Sequence, residues 1–127
     1  MDKPPTTILL VEDNQLLAES TSDILADAGY EVLRVDNGDE AIDFLRHTQV
    51  DIIISDIVMP GGLSGLELVH QVSLLYPVIR ILLVTGFGPS LSIPSDLKRR
   101  ILYKPFGADA LLDAVQRLHQ EGASKIE

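Results

Sequence analysis

Three short runs of the chain, Ile8-Leu9-Leu10-Val11, Ile52-Ile53-Ile54 and Ile81-Leu82-Leu83-Val84, are apolar at every position. A strand with one face in water alternates apolar and polar residues, whereas a strand covered on both faces does not. Such runs call for a sheet buried on both sides. The residues just beyond each run are equally constrained. The first run leads into Glu12-Asp13, the second through Ser55 into Asp56, and the third into Thr85. A fourth run, Ile101-Leu102-Tyr103, leads into Lys104-Pro105. An ionisable group at the mouth of a buried strand is costly to place and needs a reason.

The segments between the runs read as helices. The first strand is expected over about 7–11. A helix over about 15–28 comes next, capped by Asn14, with Leu17, Thr21, Ile24 and Ala28 on one face and Gly29 at its end. Glu31–Val35 reads as a second strand. A second helix starts at Asn37-Gly38 and runs to about His47, turning Ala41, Phe44 and Leu45 inward. The third strand is expected over 51–55. Met59-Pro60-Gly61-Gly62 makes a turn, and a third helix runs from Ser64 to about Tyr76 with Leu66, Val69 and Val72 as its core stripe, stopped by Pro77. The fourth strand is expected over 79–84. Gly86, Gly88, Pro89 and Pro94 interrupt the next segment, so a fourth helix there is short or irregular, over about 94–99. The fifth strand is 101–103, and a last helix over about 107–120 carries Ala108, Leu111, Leu112, Val115 and Leu118 at helical spacing. Residues 7–120 make one domain, with residues 1–6 and 121–127 as tails.

Strict strand–helix alternation with continuous apolar strands predicts an α/β fold with a doubly wound parallel sheet of five strands. Ligands of such sheets bind outside the carboxyl ends of the strands. The polar groups at positions 12, 13, 56, 85 and 104 all stand after strands, so the fold would bring them together.

Composition narrows the chemistry. The formal charge of −9 disfavours direct binding to nucleic acid or an anionic membrane and favours divalent cations and partners with basic faces. The absence of cysteine excludes thiolate chemistry. Neither a signal peptide nor a membrane span is present, which points to the cytoplasm. Glu12, Asp13 and Asp56 brought together repel one another unless a cation is shared, and Mg²⁺ suits hard oxygen ligands at a site that keeps waters. Each acid alone would read as a solvated loop residue. Three acids with Thr85 and Lys104, all at strand ends, favour the metal. His47, His70 and His119 show no metal-like spacing and read as solvated helix residues, and the basic run Lys98-Arg99-Arg100 reads as a solvated edge.

Val11-Glu12-Asp13-Asn14, Asp56 with Met59-Pro60, Gly65-Leu66-Glu67-Leu68, Val84-Thr85-Gly86 and Lys104-Pro105-Phe106 together resemble the response-regulator receiver domain of two-component signalling, over about 7–120. The resemblance implies a flavodoxin-like sheet of order 2-1-3-4-5. It implies that Asp56 accepts a phosphoryl group from the phosphohistidine of a histidine kinase or histidine phosphotransfer domain. Asp13, Asp56 and the Val58 carbonyl would ligate Mg²⁺, with Glu12 acting largely through water, and Thr85 and Lys104 would hold phosphoryl oxygens. Phosphorylation would change partner binding at the surface of the fourth helix, fifth strand and last helix.

The chain departs from the family's pattern in places. Ile101 occupies the position, three before the lysine, where the family usually has an aromatic switch residue, and the nearest aromatic is Tyr103. The stretch from Thr85 to Lys104 is short and broken by prolines. The turn at 59–65 is a residue longer than usual. This variant resembles receivers of hybrid histidine kinases and some stand-alone receivers. Val58 and Phe87 flank the site at positions that, in the family the chain resembles, tune how readily water reaches the phosphoryl group, and apolar residues at both imply slow hydrolysis. Two alternatives stay open. One is a receiver-like interaction module that works without phosphorylation. The other is a small phosphohydrolase with an aspartate nucleophile, whose second acid would be expected where Val58 stands.

Overall fold

The computed structural model of the chain describes residues 5–59, 62–86 and 100–125. Its strands are β1 (Thr7–Val11), β2 (Glu31–Val35), β3 (Ile52–Asp56), β4 (Arg80–Thr85) and β5 (Ile101–Tyr103). Its helices are α1 (Gln15–Asp27), α2 (Gly38–Leu45), α3 (Gly65–Leu75) and α4 (Ala108–Lys125). The strands pair in parallel, as the strand–helix alternation predicts, in the order β2-β1-β3-β4-β5 that the resemblance implies.

The continuous apolar runs are explained by the pleat. Successive side chains point to opposite faces, and here each face has its own core. Leu9, Val11, Ile53 and Leu83 pack with residues of α2 and α3, such as Ala41, Leu45, Leu68 and Val72. Ile8, Leu10, Ile52, Ile54, Leu82 and Val84 pack with Ala18 and Leu25 of α1 and Leu111 and Val115 of α4. Fully burying each large aliphatic side chain contributes about 1.5–3 kcal/mol, so the middle of each run is apolar and the buried polar residues Ser55, Asp56 and Thr85 come at the carboxyl ends of β3 and β4.

The helices keep the expected order with local shifts. Asn14 caps α1, its side chain accepting from the Leu17 N–H at 3.0 Å. Asn37 caps α2 in the same way, through the Glu40 N–H at 2.9 Å. Ser64 and Glu67 form a reciprocal capping box at α3. The buried stripe of α1 is Ala18, Thr21 and Leu25: Thr21 is buried as expected, Ala18 and Leu25 stand one residue on from the expected Leu17 and Ile24, and Ala28 is exposed just past the helix. Alanine lets the helix axis lie close to the sheet, and Ile24 then flanks the contact. In α3, Leu68 is fully buried beside Val69 and Val72, while Leu66 is only partly buried. Ala108 is exposed, and the stripe of α4 is Leu111, Val115 and Leu118. α2 ends at Leu45, short of His47, and α4 runs on to Lys125 through Gly122. A helical glycine costs only about 1 kcal/mol relative to alanine. The expected helix at 94–99, together with Phe87, Pro89, Pro94 and Lys98-Arg99, lies outside the described residues, as do Pro60 and Gly61.

Candidate functional site

Parallel register brings the carboxyl ends of the central strands level. Val11 pairs with Ser55, Asp56 with Val84, and Thr85 with Tyr103. The residues at and beyond these ends therefore meet above the sheet. Asp56, the last residue of β3, is 7% exposed, Glu12 6% and Thr85 2%. Asp13 is exposed at the rim.

Lys104 reaches into this group from the end of β5. Its Nζ lies 2.8 Å from Asp56 Oδ1 and 3.6 Å from Glu12 Oε1. The backbone holds it there, the Lys104 N–H donating to the Thr85 carbonyl at 2.8 Å. Burial, the largest single influence, depresses the ammonium's pKa. The hydrogen bonds and charges of Asp56 and Glu12 outweigh it, so the pKa of Lys104 lies above its ordinary value. Glu12 goes the other way from an ordinary carboxylate. Burial, then the neighbouring Asp56 carboxylate, raise its pKa from 4.5 to about 7, against the opposing effects of the Asn14 N–H and Lys104. That Asn14 N–H donates to Glu12 Oε2 at 3.1 Å.

Glu12, Asp13 and Asp56 each offer a carboxylate oxygen, and these lie within 4.8 Å of one another. Octahedral ligands at about 2.1 Å from Mg²⁺ are at most about 4.2 Å apart, so only a small closure would seat the ion. Three hard oxygen donors, two of them buried and short of positive charge, fit such a cation.

The turn after β3 is held against α3. The Ile57 N–H donates to the Val84 carbonyl at 2.9 Å, and the Gly65 N–H to the Ile57 carbonyl at 2.8 Å. A Cβ on Gly65 would collide with the Asp56 carbonyl and stand 2.7 Å from Ile57 Cα. Only glycine permits α3 to begin this close to the phosphoacceptor candidate. Val58, two residues past Asp56, is 49% exposed.

Ile101 is partly buried and packs on the core shared by α2 and α3. Tyr103 pairs with Thr85 and is 47% exposed. His47, His70 and His119 are all exposed. One residue near the site was not singled out from the sequence. Arg34 of β2 donates from Nε and Nη2 to the Glu12 carbonyl, at 3.1 and 3.0 Å. Its only sequence signal is a cation set among Val32, Leu33 and Val35.

The model of the response regulator receiver domain matches residues 8–116. The chain belongs to this family. Receiver domains serve two-component signalling, and their general function is phosphorylation on an aspartate. They interact with histidine kinases or phosphotransfer proteins. Among curated relatives, the receiver is 36% identical over 113 residues to the response regulator protein FleR of Pseudomonas aeruginosa, covering 87% of this chain and 24% of that one. It is 32% identical over 116 residues to the response regulator receiver protein CpdR of Brucella abortus, covering 87% of this chain and 94% of the relative. The chain thus spans about a quarter of one relative and nearly all of the other. Among solved structures, the chemotaxis response regulator CheY4 of Vibrio cholerae superposes with a TM-score of 0.76 at 30% identity, over 91% of this receiver and 99% of that chain. Among the described residues no helix is long and apolar enough to cross a membrane.

Proposed function

We propose that Asp56 is the phosphoacceptor of this receiver, within a domain spanning 7–120. The observation that carries the reading is the pairing of a nearly buried Asp56 with Lys104 at 2.8 Å, inside a cluster of three carboxylates. In the transfer, an Asp56 Oδ–phosphorus bond forms as the phosphorus–nitrogen bond to the donor histidine breaks. The electron pair leaves with the imidazole nitrogen, which becomes neutral. Asp13, Asp56 and the Val58 carbonyl would hold Mg²⁺, with Glu12 acting largely through water. The ion supplies charge neutralisation for the phosphoryl oxygens and for the acidic cluster.

The chain's own groups do the positioning. Lys104 moves its hydrogen bond from Asp56 to a phosphoryl oxygen, and the Thr85 hydroxyl takes another. Transfer of this kind needs little covalent work beyond alignment and electrostatic stabilisation. Catalysis is confined to the domain's own phosphorylation and dephosphorylation. The donor is a histidine kinase or histidine phosphotransfer domain in the cytoplasm. The readout is altered binding of a protein partner at the surface that includes β5 and α4; the expected fourth helix, the other part of that reading, lies outside the described residues.

Incubation with Mg²⁺ and a small acyl phosphate tests this. Wild type gains one acid-labile phosphoryl group by mass, and Asp56→Asn gains none. A wild type that stays unlabelled with both small donors and a phosphorylated kinase domain would refute the reading, as would undiminished labelling of Asp56→Asn.

A further inference from the structure

The turn between β1 and α1 is tied down from the side by β2. The Glu12 N–H donates to the Val35 carbonyl at 3.1 Å. The Glu12 carbonyl accepts both Nε and Nη2 of Arg34, at 3.1 and 3.0 Å. Arg34 is itself held by Asp36, 2.9 Å from Nη2, and the Asp36 N–H donates to Glu40 Oε1 at 2.9 Å. The guanidinium therefore bears on the peptide that joins Glu12 to Asp13. The plane of that peptide sets where the Asp13 side chain leaves the backbone, and so whether its oxygen stays near those of Glu12 and Asp56.

We propose that Arg34 is a positioning residue for the cation site, its fork on the Glu12 carbonyl orienting the peptide that presents Asp13. This rests on the reading of Glu12, Asp13 and Asp56 as an Mg²⁺ site. Arg34 meets the Glu12 carbonyl and Asp36, not a carboxylate of the cluster. It acts as the outer partners of metal ligands do, by holding a ligand-bearing group in one orientation; loss of such partners typically weakens metal binding by about 10–100-fold.

Charge and geometry predict opposite signs, which makes the role separable. A cation near an acidic site repels Mg²⁺, so simple removal of the Arg34 charge would tighten binding. Loss of the fork would weaken it. Calorimetric titration of the folded protein with Mg²⁺ alone reads the difference, with Arg34→Met and Arg34→Lys beside wild type. Arg117→Met serves as a control: it removes the same charge from an exposed pair with Asp113 on α4.

The expected result is an Mg²⁺ affinity roughly tenfold lower in Arg34→Met. Arg34→Lys, which loses the fork but keeps the repelling charge, is weakened at least as much as Arg34→Met, and Arg117→Met is unchanged. Unchanged or tighter binding in Arg34→Met overturns the role, even if that variant melts earlier, because a purely structural contact would move the melting temperature and not the affinity. Should Arg34→Met fail to fold, Arg34→Lys decides alone, with unchanged affinity overturning the role. A wild type that takes up no Mg²⁺ refutes the metal reading itself, before any variant is compared.

Discussion

Lys104 Nζ stands 2.8 Å from Asp56 Oδ1, although β4 lies between the strands that carry them. The lysine side chain crosses the end of β4 to reach an acid whose residue is 7% exposed. Removing it leaves a desolvated carboxylate beside Glu12 with no counter-charge. Lys104→Met is expected to destabilise the metal-free protein by roughly 1–3 kcal/mol, less than the 3–5 kcal/mol of a fully buried broken pair, because the lysine is partly solvated. Mg²⁺ should recover part of that loss. Chemical denaturation with and without Mg²⁺ checks this, and phosphoryl uptake by the same variant should fall at least tenfold.

Gly65 gives a second, purely steric prediction. Its missing Cβ is what allows α3 to start against the Asp56–Ile57 backbone. Gly65→Ala must push that backbone away, since neither contact is the flexible end of a side chain. A cost of about 1–3 kcal/mol is expected from overpacking. Slower phosphorylation should accompany it, because the shifted peptides carry Asp56 and lead into Val58. Gly29→Ala, where a Cβ would meet nothing within 4 Å but φ is +101°, is the control that strains a turn far from the site.

Much of this arrangement was legible in the sequence, for identifiable reasons. Continuous apolar strands imply two covered faces, and the pleat divides Ile8 and Leu10 from Leu9 and Val11 as expected. The site residues were legible because each stands at or just past a strand end, and parallel strands end on one side of the sheet. The α1 stripe was not, since choosing between Leu17 and Ala18 depends on how close the helix lies to the sheet. Arg34 was not legible either. Its contact with Glu12 depends on the pairing of Leu10 with Arg34, and an isolated cation in an edge strand has no pattern that announces it. Gly65 could be read as a helix start but not as a point of close approach, which only the packed turn reveals.

Glu12 makes the metal-free protein sensitive to pH. Its pKa is raised to about 7, chiefly by burial, from 4.5. Between these values the native state binds more protons than the unfolded chain, so stability falls as pH rises. The contribution is fully present below 4.5 and lost as pH passes about 7. Metal-free melts should show this decline through the neutral range. Mg²⁺ binding should run the opposite way, with apparent affinity up to about tenfold weaker at pH 6 than at pH 8 because the proton competes for Glu12. Glu12→Gln should flatten both profiles. A metal-free stability that stays flat across this range would show that Glu12 titrates as an ordinary exposed acid.

Mg²⁺ should also stabilise the fold outright. Folding brings Asp56 to the adjacent pair Glu12 and Asp13, and the unfolded chain lacks this cluster, so the ion binds the native form selectively. At a hundredfold excess over its dissociation constant it would add about 2.7 kcal/mol. Asp13→Asn removes one ligand and one repelling charge together. The variant is therefore expected to melt higher than wild type without Mg²⁺ and to gain little when Mg²⁺ is added. Paired melts in Mg²⁺ and in chelator test both halves. If wild type and Asp13→Asn respond alike to Mg²⁺, Asp13 is not a ligand.

Val58 bears on how long the signal lasts. Its apolar side chain is half exposed, two residues past Asp56, and in the receiver family this position tunes how readily water reaches the phosphoryl group. An apolar group there can neither bind that water nor orient it. Val58→Asn supplies a donor and an acceptor at the same place, and is expected to speed phosphoryl loss severalfold with little change in stability, since the site is solvated. The measurement is decay of acid-labile phosphoprotein after removal of the donor. Wild type should hold its phosphoryl group for minutes or longer. A half-life of seconds in wild type, or an unchanged decay in Val58→Asn, would show that access of water is controlled elsewhere.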